Sequence, residues 1–433
     1  MAADFLGFQV FFLEQRLMYF LYSLLYGCVL VLSAPYFLYR SLREPEFGTS
    51  LLERFGGARV NPGGERSIWI HAVSVGEVIA AGILVPHLRE AFPGTRLALS
   101  VTTPTGRKVA EERLSEIDDL FYCPFDLPFA LRKMITRVRP RALVVIETEI
   151  WPNLLREARR AGAVTLLANG RISDRSFPGY LRIRFFLKRY LQEIDRFLMQ
   201  SQSYARRIEA LGAASSSLRV VGSLKFDAAP EGAAKPAVRV TPEGRRILVA
   251  GSTLEPEERI VFSVFERLRI SEPDLFLVVA PRHAPRFDAV WELASSRGLR
   301  IARRSRSEDV GDADVLLLDT LGELASVYAE ADYAFVGGSL ASRGGHNIIE
   351  PASRGKPVLF GPHMQNFADI ARIFLEAGAA IQVRDEAELE SVLRDLLARR
   401  ERCEELSKKA RAVVAENRGA ASRTVSAMRE ILP

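Results

Sequence analysis

The feature that most constrains the fold of this chain is an alternation of short apolar runs and amphipathic stretches, which begins near residue 67 and restarts after an interruption. Short apolar runs bounded by turn residues predict strands. The stretches between them, such as residues 78–91 and 152–161, have the length and period of helices. The predicted strands are 67–72, 96–101, 142–147, 164–168, 196–199, 219–221, 247–250, 275–280, 300–302, 315–318, 333–336, 358–360 and 380–383. This alternation favours parallel sheets covered by helices.

The interruption, residues 228–244, is rich in Ala, Pro and Gly and shows no period, which is typical of an interdomain linker. We therefore predict two successive α/β domains with a cleft between them, and a charged helical tail over residues 387–432. Ligands bind such sheets beyond the carboxyl ends of the strands. The motifs that follow predicted strands are therefore the candidates for function.

Ahead of the first strand, residues 17–39 contain no charged side chain. As a helix this segment would be roughly 34 Å long, enough to cross a hydrocarbon core of about 30 Å. The flank after it carries Arg40, Arg43, Arg54 and Arg59. This bias predicts a membrane anchor with the protein body in the cytoplasm, in preference to a core helix or a signal peptide. Pro35 leaves open whether the segment spans the membrane or lies in it.

Three motifs in the first half bear chemistry. In HAVSVGE (71–77), Glu77 follows a strand and could act as a general base, or it could form a capping box with Ser74. In ETEIWPN (147–153), the carboxylates of Glu147 and Glu149 need a partner or solvent; a solvated helix entry is the alternative. In GSLKFD (222–227), Lys225 could meet an anionic substrate or be an ordinary surface lysine.

Motifs in the second half point to an anionic ligand. Ser252 lies in AGST (250–253), a turn whose N–H groups could bind an anion, and PRH (281–283) offers the guanidinium of Arg282. The glycine pairs of 337–340 and 343–351 would let a ligand approach the backbone, unless they form a purely structural turn. A helix starting near Asn347 would direct its dipole at a phosphate, and Glu350 could bind ribose hydroxyls. DAD (312–314) is interpreted as a solvated turn, not as a metal motif.

Composition narrows the class of protein. Cys28, Cys123 and Cys403 are widely spaced, which argues against a disulfide framework or a zinc site. The net charge of +6 suits anionic lipids, phosphorylated substrates or nucleic acid. No Walker A, GxGxxG or GxSxG motif is present.

Taken in order, these motifs resemble those of the bacterial 3-deoxy-D-manno-octulosonic acid (Kdo) transferases. The resemblance extends from the N-terminal segment to about residue 367. It is carried by HAVSVGE (71–77), TPTG (103–106), ETEIWPN (147–153), NGRIS (169–173), GSLKFD (222–227), APRH (280–283), LGEL (321–324), FVGGSL (335–340) and GGHNIIEP (344–351). Gly170 and Ile150 depart from residues common in the family, but neither bears on the chemistry.

The resemblance implies a GT-B fold, with two Rossmann-like domains and a cleft between them, plus the N-terminal anchor helix. The implied parts are an anchor (1–45), an acceptor domain (46–227), a linker (228–244) and a CMP-sugar-binding domain with a helical tail (245–433). The implied reaction is an inverting transfer of Kdo from CMP-Kdo to a lipid A precursor, at the cytoplasmic face of a bacterial inner membrane. No cofactor, metal or nucleic acid is expected.

The family's residue roles carry over onto matching positions. Glu77 would be the base, and Glu149 and Lys225 would stabilise the transition state. The family's CMP-binding motifs match Pro281, Arg282, His283, Leu321, Gly322, Glu323, Asn347, Ile348, Ile349 and Glu350. From their own motifs, Ser252, Gly338 and Ser339 are also expected to bind substrate.

The basic and aromatic stretch 181–190 is a further candidate, either for membrane docking or as an ordinary solvated helix face. Three other functions stay open: a GT-B transferase that uses a UDP-sugar, a nucleotide-sugar epimerase and a non-catalytic membrane scaffold. The epimerase predicts no anchor, and the scaffold gives no reason for carboxylates and glycines to gather at strand ends.

Overall fold

The computed structural model describes residues 2–43, 45–60, 66–228, 241–306 and 310–432. Within this part of the chain, two compact units form: Met1–Ala228 with Arg418–Pro433, and Ala229–Asn417. Most of the predicted linker, residues 228–244, lies outside the described residues. Its role as a linker remains a prediction.

The first helix, α1 (Ala2–Arg43), continues through Pro35 without ending there. Its part Arg16–Arg43 is long and apolar enough to cross a membrane by length and composition, and only 11% of its most apolar window is buried. A soluble core helix would be mostly covered, so the core-helix alternative does not describe this segment. Near the start of the Arg16–Arg43 part, α1 is tied to the first unit by two hydrogen bonds. The Tyr19 hydroxyl donates to Glu193 at 3.1 Å, and the Asn153 amide donates to the Ser23 hydroxyl at 3.0 Å.

The first unit is built on a seven-stranded sheet in the order β3-β2-β1-β4-β5-β6-β7, and its neighbouring strands pair in parallel. The strands are β1 (Ser67–Ala72), β2 (Leu97–Val101), β3 (Asp119–Tyr122), β4 (Pro140–Ile146), β5 (Val164–Gly170), β6 (Arg196–Met199) and β7 (Leu218–Val220). The helices are α2 (Pro45–Leu52), α3 (Val75–Ala91), α4 (Pro104–Arg113), α5 (Pro128–Val138), α6 (Pro152–Arg160), α7 (Phe177–Arg182), α8 (Arg184–Leu191) and α9 (Gln202–Leu211). Apolar cores cover both faces of this sheet, which explains the continuous apolar strands.

The second unit repeats the plan in the order β10-β11-β9-β8-β12-β13-β14, again with parallel pairing. Its strands are β8 (Arg246–Thr253), β9 (Leu275–Pro281), β10 (Ile301–Arg303), β11 (Val315–Leu317), β12 (Tyr333–Val336), β13 (Val358–Phe360) and β14 (Ile381–Gln382). Its helices are α10 (Glu257–Arg269), α11 (Phe287–Ser296), α12 (Leu324–Glu330), α13 (Ile349–Ser353), α14 (Ala368–Glu376), α15 (Glu386–Ala398) and α16 (Arg400–Asn417).

The last helix, α17 (Ala420–Arg429), corrects the predicted boundary of the second domain, which extended to residue 433. Its apolar side chains belong to the core of the first unit. The carboxylate of Asp227 accepts hydrogen bonds from the N–H groups of Gly419 and Ala421 at 2.6 and 2.7 Å, which fixes the start of α17. The tail therefore returns to the first unit, because its apolar face is buried there.

Candidate active site

The carboxyl ends of two central strands bring the acidic motifs of the first unit together. β1 and β4 are neighbours in the sheet although β2 and β3 lie between them in sequence, so the strand order reverses at this point. Open α/β sheets bind ligands at such a reversal. Glu77 follows β1, and Glu147 and Glu149 follow β4. The three carboxylates are close enough for Glu147 and Glu149 to raise the pKa of Glu77 electrostatically.

Glu77 lies in the first turn of α3, and only 6% of the residue is exposed. Its carboxylate accepts the Val73 N–H at 2.7 Å and the Ser74 hydroxyl at 2.8 Å. The Ser74 hydroxyl donates to Glu77 and does not accept from the helix backbone, and the N–H group that Glu77 accepts belongs to Val73 and not to the N-cap residue Ser74, so the predicted capping box does not form. Burial raises the pKa of Glu77 to about 7, against the lowering effect of these two donors. A carboxyl with this pKa exchanges protons near neutral pH.

The two carboxylates of the ETE motif, Glu147 and Glu149, differ in their surroundings. Glu147 adopts φ +61° and forms an ion pair with Arg171 at 3.0 Å, so it is held by a partner. Burial and the charge of Glu147 raise the pKa of Glu149 above its ordinary value. Glu149 is thus the less neutralised carboxylate of the pair.

Lys225 lies in a short 3₁₀ turn, Leu224–Phe226, whose first N–H donates to the side-chain oxygen of Asn169 at 3.2 Å. Burial and the nearby Arg171 guanidinium lower the pKa of Lys225 to about 8, while Glu147 opposes the change. Lys225 is therefore a half-buried cation beside the carboxylates, not an ordinary surface lysine.

Asn169 was quoted within the NGRIS motif, but no role was predicted for it. It is 1% exposed and adopts φ +54°, and its side-chain nitrogen has no hydrogen-bond partner among the described residues. The position of Asn169 at the end of β5 was the available signal.

In the second unit, the strand order reverses between β8 and β12. Ser252 lies within the end of β8 at φ +56°, so the expected turn into a helix is replaced by strand. Gly338 follows β12 with φ +69°, and a Cβ there would lie 2.7 Å from the ring of His346. Glycine is required at this position because the histidine ring packs against its backbone.

The carboxylate of Glu257, at the start of α10, holds the glycine-rich loop in place, and its role was not predicted from the sequence. Glu257, which is fully buried, accepts hydrogen bonds from five backbone N–H groups at 2.7–3.1 Å. The donors are Leu254, Gly338, Ser339, Leu340 and Ala341. The N–H groups of Gly338 and Ser339 were expected to face a ligand, but they are engaged by this internal anion. A carboxylate in this place organises the loop and leaves its outer surface to other residues.

The remaining residues of the GGHNIIEP motif divide between core and surface. Ile348 and Ile349 are buried apolar side chains, as is Pro281 at the end of β9, so they support the site without presenting polar groups. Helix α13 has only five residues, so its dipole is weaker than the sequence suggested. Asn347 caps it by accepting from the Ile349 N–H at 3.1 Å, and its amide donates to Glu350 at 3.1 Å.

Four polar side chains lie close together at this edge: Arg282, His283, His346 and Glu350. Arg282 and His283 are exposed. Burial and these two neighbours lower the pKa of His346 to about 4, so its ring is neutral at pH 7. Its Nε2 atom is buried and has no hydrogen-bond partner among the described residues. Burial raises the pKa of Glu350, against the effects of Asn347 and Arg282.

In the LGEL motif, Leu321 and Gly322 are open to a ligand, whereas Glu323 is bound by neighbouring side chains. Leu321 is 85% exposed, and Gly322 at φ +87° has open space around its α-carbon. Burial would raise the pKa of Glu323, but hydrogen bonds from Thr320 and Arg304 outweigh it and lower the pKa. Glu323 is thus a paired carboxylate.

The DAD motif divides: Asp312 lies exposed in a turn, as predicted, whereas Asp314 does not. Asp314 is 4% exposed and forms ion pairs with Arg300 at 2.7 Å and Arg269 at 3.0 Å, so it is not part of a solvated turn. No cluster of three metal-binding side chains occurs among the residues that the structure describes.

Comparison with known proteins identifies the family to which the chain belongs. A family model described as 3-deoxy-D-manno-octulosonic-acid transferase (kdotransferase) matches residues 49–228. The chain is 33% identical over 401 residues to the 3-deoxy-D-manno-octulosonic acid transferase of Haemophilus influenzae, covering 90% of this chain and 93% of that protein. It is 37% identical over 393 residues to the transferase of the same name from Bordetella pertussis, covering 88% and 91%.

A solved structure of the UDP-GlcNAc 2-epimerase from Neisseria meningitidis, bound to UDP-GlcNAc, has a TM-score of 0.60 to this chain. It is 13% identical, and the match covers 84% of this chain and 100% of that one. At this identity the likeness shows the fold alone. The predicted class, two Rossmann-like domains of the GT-B type with an N-terminal apolar helix, is confirmed.

Proposed function

This chain belongs to the 3-deoxy-D-manno-octulosonic acid transferase family of glycosyltransferases, and from that premise we propose that it moves Kdo from CMP-Kdo to a lipid A precursor with inversion. The observation that carries the proposal is Glu77, a buried carboxyl with a pKa of about 7 at the strand-order reversal of the first unit. An inverting transfer to a hydroxyl needs a base of this kind, because the acceptor oxygen attacks as it loses its proton.

In the proposed step, the ionised Glu77 takes the proton of the acceptor hydroxyl. The hydroxyl oxygen bonds to the anomeric carbon of Kdo from the face opposite the phosphate. The bond between that carbon and the phosphate oxygen breaks, and CMP leaves with the electron pair. Lys225, still mostly protonated at pH 7 with a pKa of about 8, would stabilise negative charge that develops on the reactants. Glu149 would stabilise the positive charge on the sugar ring.

The second unit supplies groups suited to CMP. The exposed Arg282 guanidinium can hold a phosphate through two parallel hydrogen bonds. His346 offers a free ring nitrogen, and Glu350 can accept hydrogen bonds from ribose hydroxyls. The exposed Leu321 offers an apolar surface for a base. Ser252, His283 and Gly322 remain proposed contacts. Gly338, Ser339, Ile348 and Ile349 support these groups through the backbone and core.

A lipid acceptor also accounts for the N-terminal helix. We propose that the exposed apolar part of α1 lies in the bacterial inner membrane, with both units on the cytoplasmic side. The side chains of Arg182, Arg184 and Lys188 on α7 and α8 are exposed, which suits contact with anionic lipid.

The decisive experiment is a transfer assay with the purified full chain, CMP-Kdo and tetraacylated lipid A precursor, read by mass spectrometry. We expect the acceptor to gain the mass of Kdo, and NMR to show the anomeric configuration opposite to that of the donor. Arg282→Gln should raise the KM for CMP-Kdo, whereas Arg259→Gln, an exposed arginine on α10, should not. Turnover of UDP-sugars without transfer from CMP-Kdo would overturn the donor assignment.

A further inference from the structure

An apolar groove with a volume of about 760 Å³ lies between helices α1 and α8 of the first unit. One wall is a stripe on α1 that runs from Met18 through Leu21 to Leu25. The other wall runs from Ile183 through Phe186 to Tyr190. Both stripes repeat at every third or fourth residue, which places their side chains on a single helix face. The two helices therefore turn matching apolar faces towards the same space.

The groove has a closed floor and an open rim. Met18 and Tyr190 are each only 8% exposed, whereas Leu25 is 67%, Leu21 is 51% and Phe186 is 49% exposed. Exposed apolar area costs about 25 cal/mol per Å² in water, so several such side chains in one concave surface indicate an apolar occupant.

The position of the groove identifies that occupant. One wall belongs to the helix that is long and apolar enough to cross a membrane. At the other end, Thr148, Glu149 and Trp151 also line the groove. Glu149 is near enough to Glu77 to influence its pKa. An apolar passage therefore connects the proposed membrane helix with the proposed catalytic carboxylates.

We propose that this groove binds one acyl chain of the lipid acceptor, so that the sugar hydroxyl of the acceptor lies at Glu77 and Glu149. This inference rests on the proposed function. A bilayer phospholipid fits less well, because its phosphate would lie beside the Glu149 carboxylate, which lines the groove. Sugar hydroxyls, in contrast, donate hydrogen bonds to carboxylates.

A matched pair of variants tests the proposal. Leu25→Trp would fill the groove, whereas Leu24→Trp adds the same side chain at an exposed position that does not line it. With the full chain in detergent, Leu25→Trp should raise the KM for tetraacylated precursor about tenfold, as expected for the loss of about two buried methylene groups. The kcat and the KM for CMP-Kdo should stay unchanged, and Leu24→Trp should match the wild type. Equal acceptor KM values in all three proteins would overturn the proposal.

A binding experiment without donor separates this inference from the proposed function. Tetraacylated precursor carrying a photoreactive diazirine at an acyl terminus is irradiated with each protein, and the modified peptides are identified by mass spectrometry. We expect labelling of residues 183–190 in the wild type and in Leu24→Trp, but not in Leu25→Trp. Labelling elsewhere, or labelling that a tenfold excess of phospholipid abolishes, would refute an acyl subsite for the acceptor. If labelling is as expected but no Kdo is transferred, the groove assignment stands and the proposed function fails.

Discussion

Replacing Glu77 by Gln should slow Kdo transfer and, at neutral pH and above, make the protein more stable. The glutamine keeps a side-chain oxygen for the Val73 N–H, and the Ser74 hydroxyl can rotate to accept from the new amide. The fold therefore tolerates the change. The proposed base is lost, and general-base catalysis by a positioned side chain contributes about 10²–10⁴-fold, so kcat should fall by that factor.

The stability gain follows from the pKa of Glu77, which burial raises from its ordinary value of 4.5 to about 7. At about 1.4 kcal/mol per pKa unit, this rise means that ionised Glu77 lowers the free energy of unfolding by roughly 3 kcal/mol. Below about pH 4 the carboxyl is neutral in the folded and the unfolded chain, so the wild type and the variant should be equally stable. Between about pH 4.5 and 7 the unfolded chain loses the proton first, which progressively destabilises the folded wild type. The stability difference between the wild type and Glu77→Gln reaches its full size above about pH 7.

Thermal unfolding of both proteins at pH 5 and pH 8 measures this difference, and the transfer assay measures kcat on the same samples. Glu111→Gln is the matched control, because the Glu111 side chain is 55% exposed on α4 and should affect neither quantity. Equal Tm values for Glu77→Gln and the wild type at pH 8 would show that Glu77 does not carry a raised pKa. A kcat within about threefold of the wild type would place the base elsewhere.

Three further predictions concern the surroundings of Glu77 and the glycine loop. The kcat/KM of the wild type should peak between about pH 7 and 8, because Glu77 must be ionised and Lys225 must be protonated. Lys225→Arg should remove the fall of kcat/KM at high pH. A flat pH profile of the wild type would contradict both assignments. Asn169→Ala should lower the free energy of unfolding by about 1–3 kcal/mol and weaken transfer, because the buried Leu224 N–H loses its acceptor; urea unfolding tests this, and an unchanged midpoint would refute it. Glu257→Ala should lower the free energy of unfolding by about 4 kcal/mol or more, because five backbone N–H groups lose their shared acceptor. In the same urea assay, the control Glu266→Ala, which breaks a half-exposed ion pair, should lower it by less than about 1 kcal/mol.

Among the described residues, the sequence predicted thirteen of the fourteen strands to within about two residues at most ends, because each is a short apolar run between turn signals. It missed β3 (Asp119–Tyr122), whose four residues begin with a charge and lie at the edge of the sheet. It also assigned α17 to the wrong unit. Helical periodicity reveals an apolar face but not which core buries it, and the Asp227 cap is a contact across about 190 residues.

The positions of site residues along the chain were predictable, but their electrostatic states were not. Glu77 and Glu149 could be found because they follow apolar strands. Strand order then brings them together, and a sequence pattern does not give the order in which strands pair. Glu257 was missed because it looks like an ordinary first-turn acidic residue of α10, and its role depends on a loop about 80 residues further along the chain. His346 was quoted within its motif, but its unpaired nitrogen is visible only in three dimensions.

Two buried glutamates show how the surroundings separate a structural carboxylate from a reactive one. Glu257 and Glu77 each lie in the first turn of a helix that follows the first strand of its unit. Glu257 accepts from five backbone N–H groups, which fix its carboxylate within the loop. Glu77 has only one backbone donor and one hydroxyl, with two further carboxylates nearby. Glu257 is therefore bound to the loop backbone, whereas the raised pKa of Glu77 suits a group that takes up and releases a proton near neutral pH. The same helix position therefore supports loop structure in the second unit and carries the proposed general base in the first.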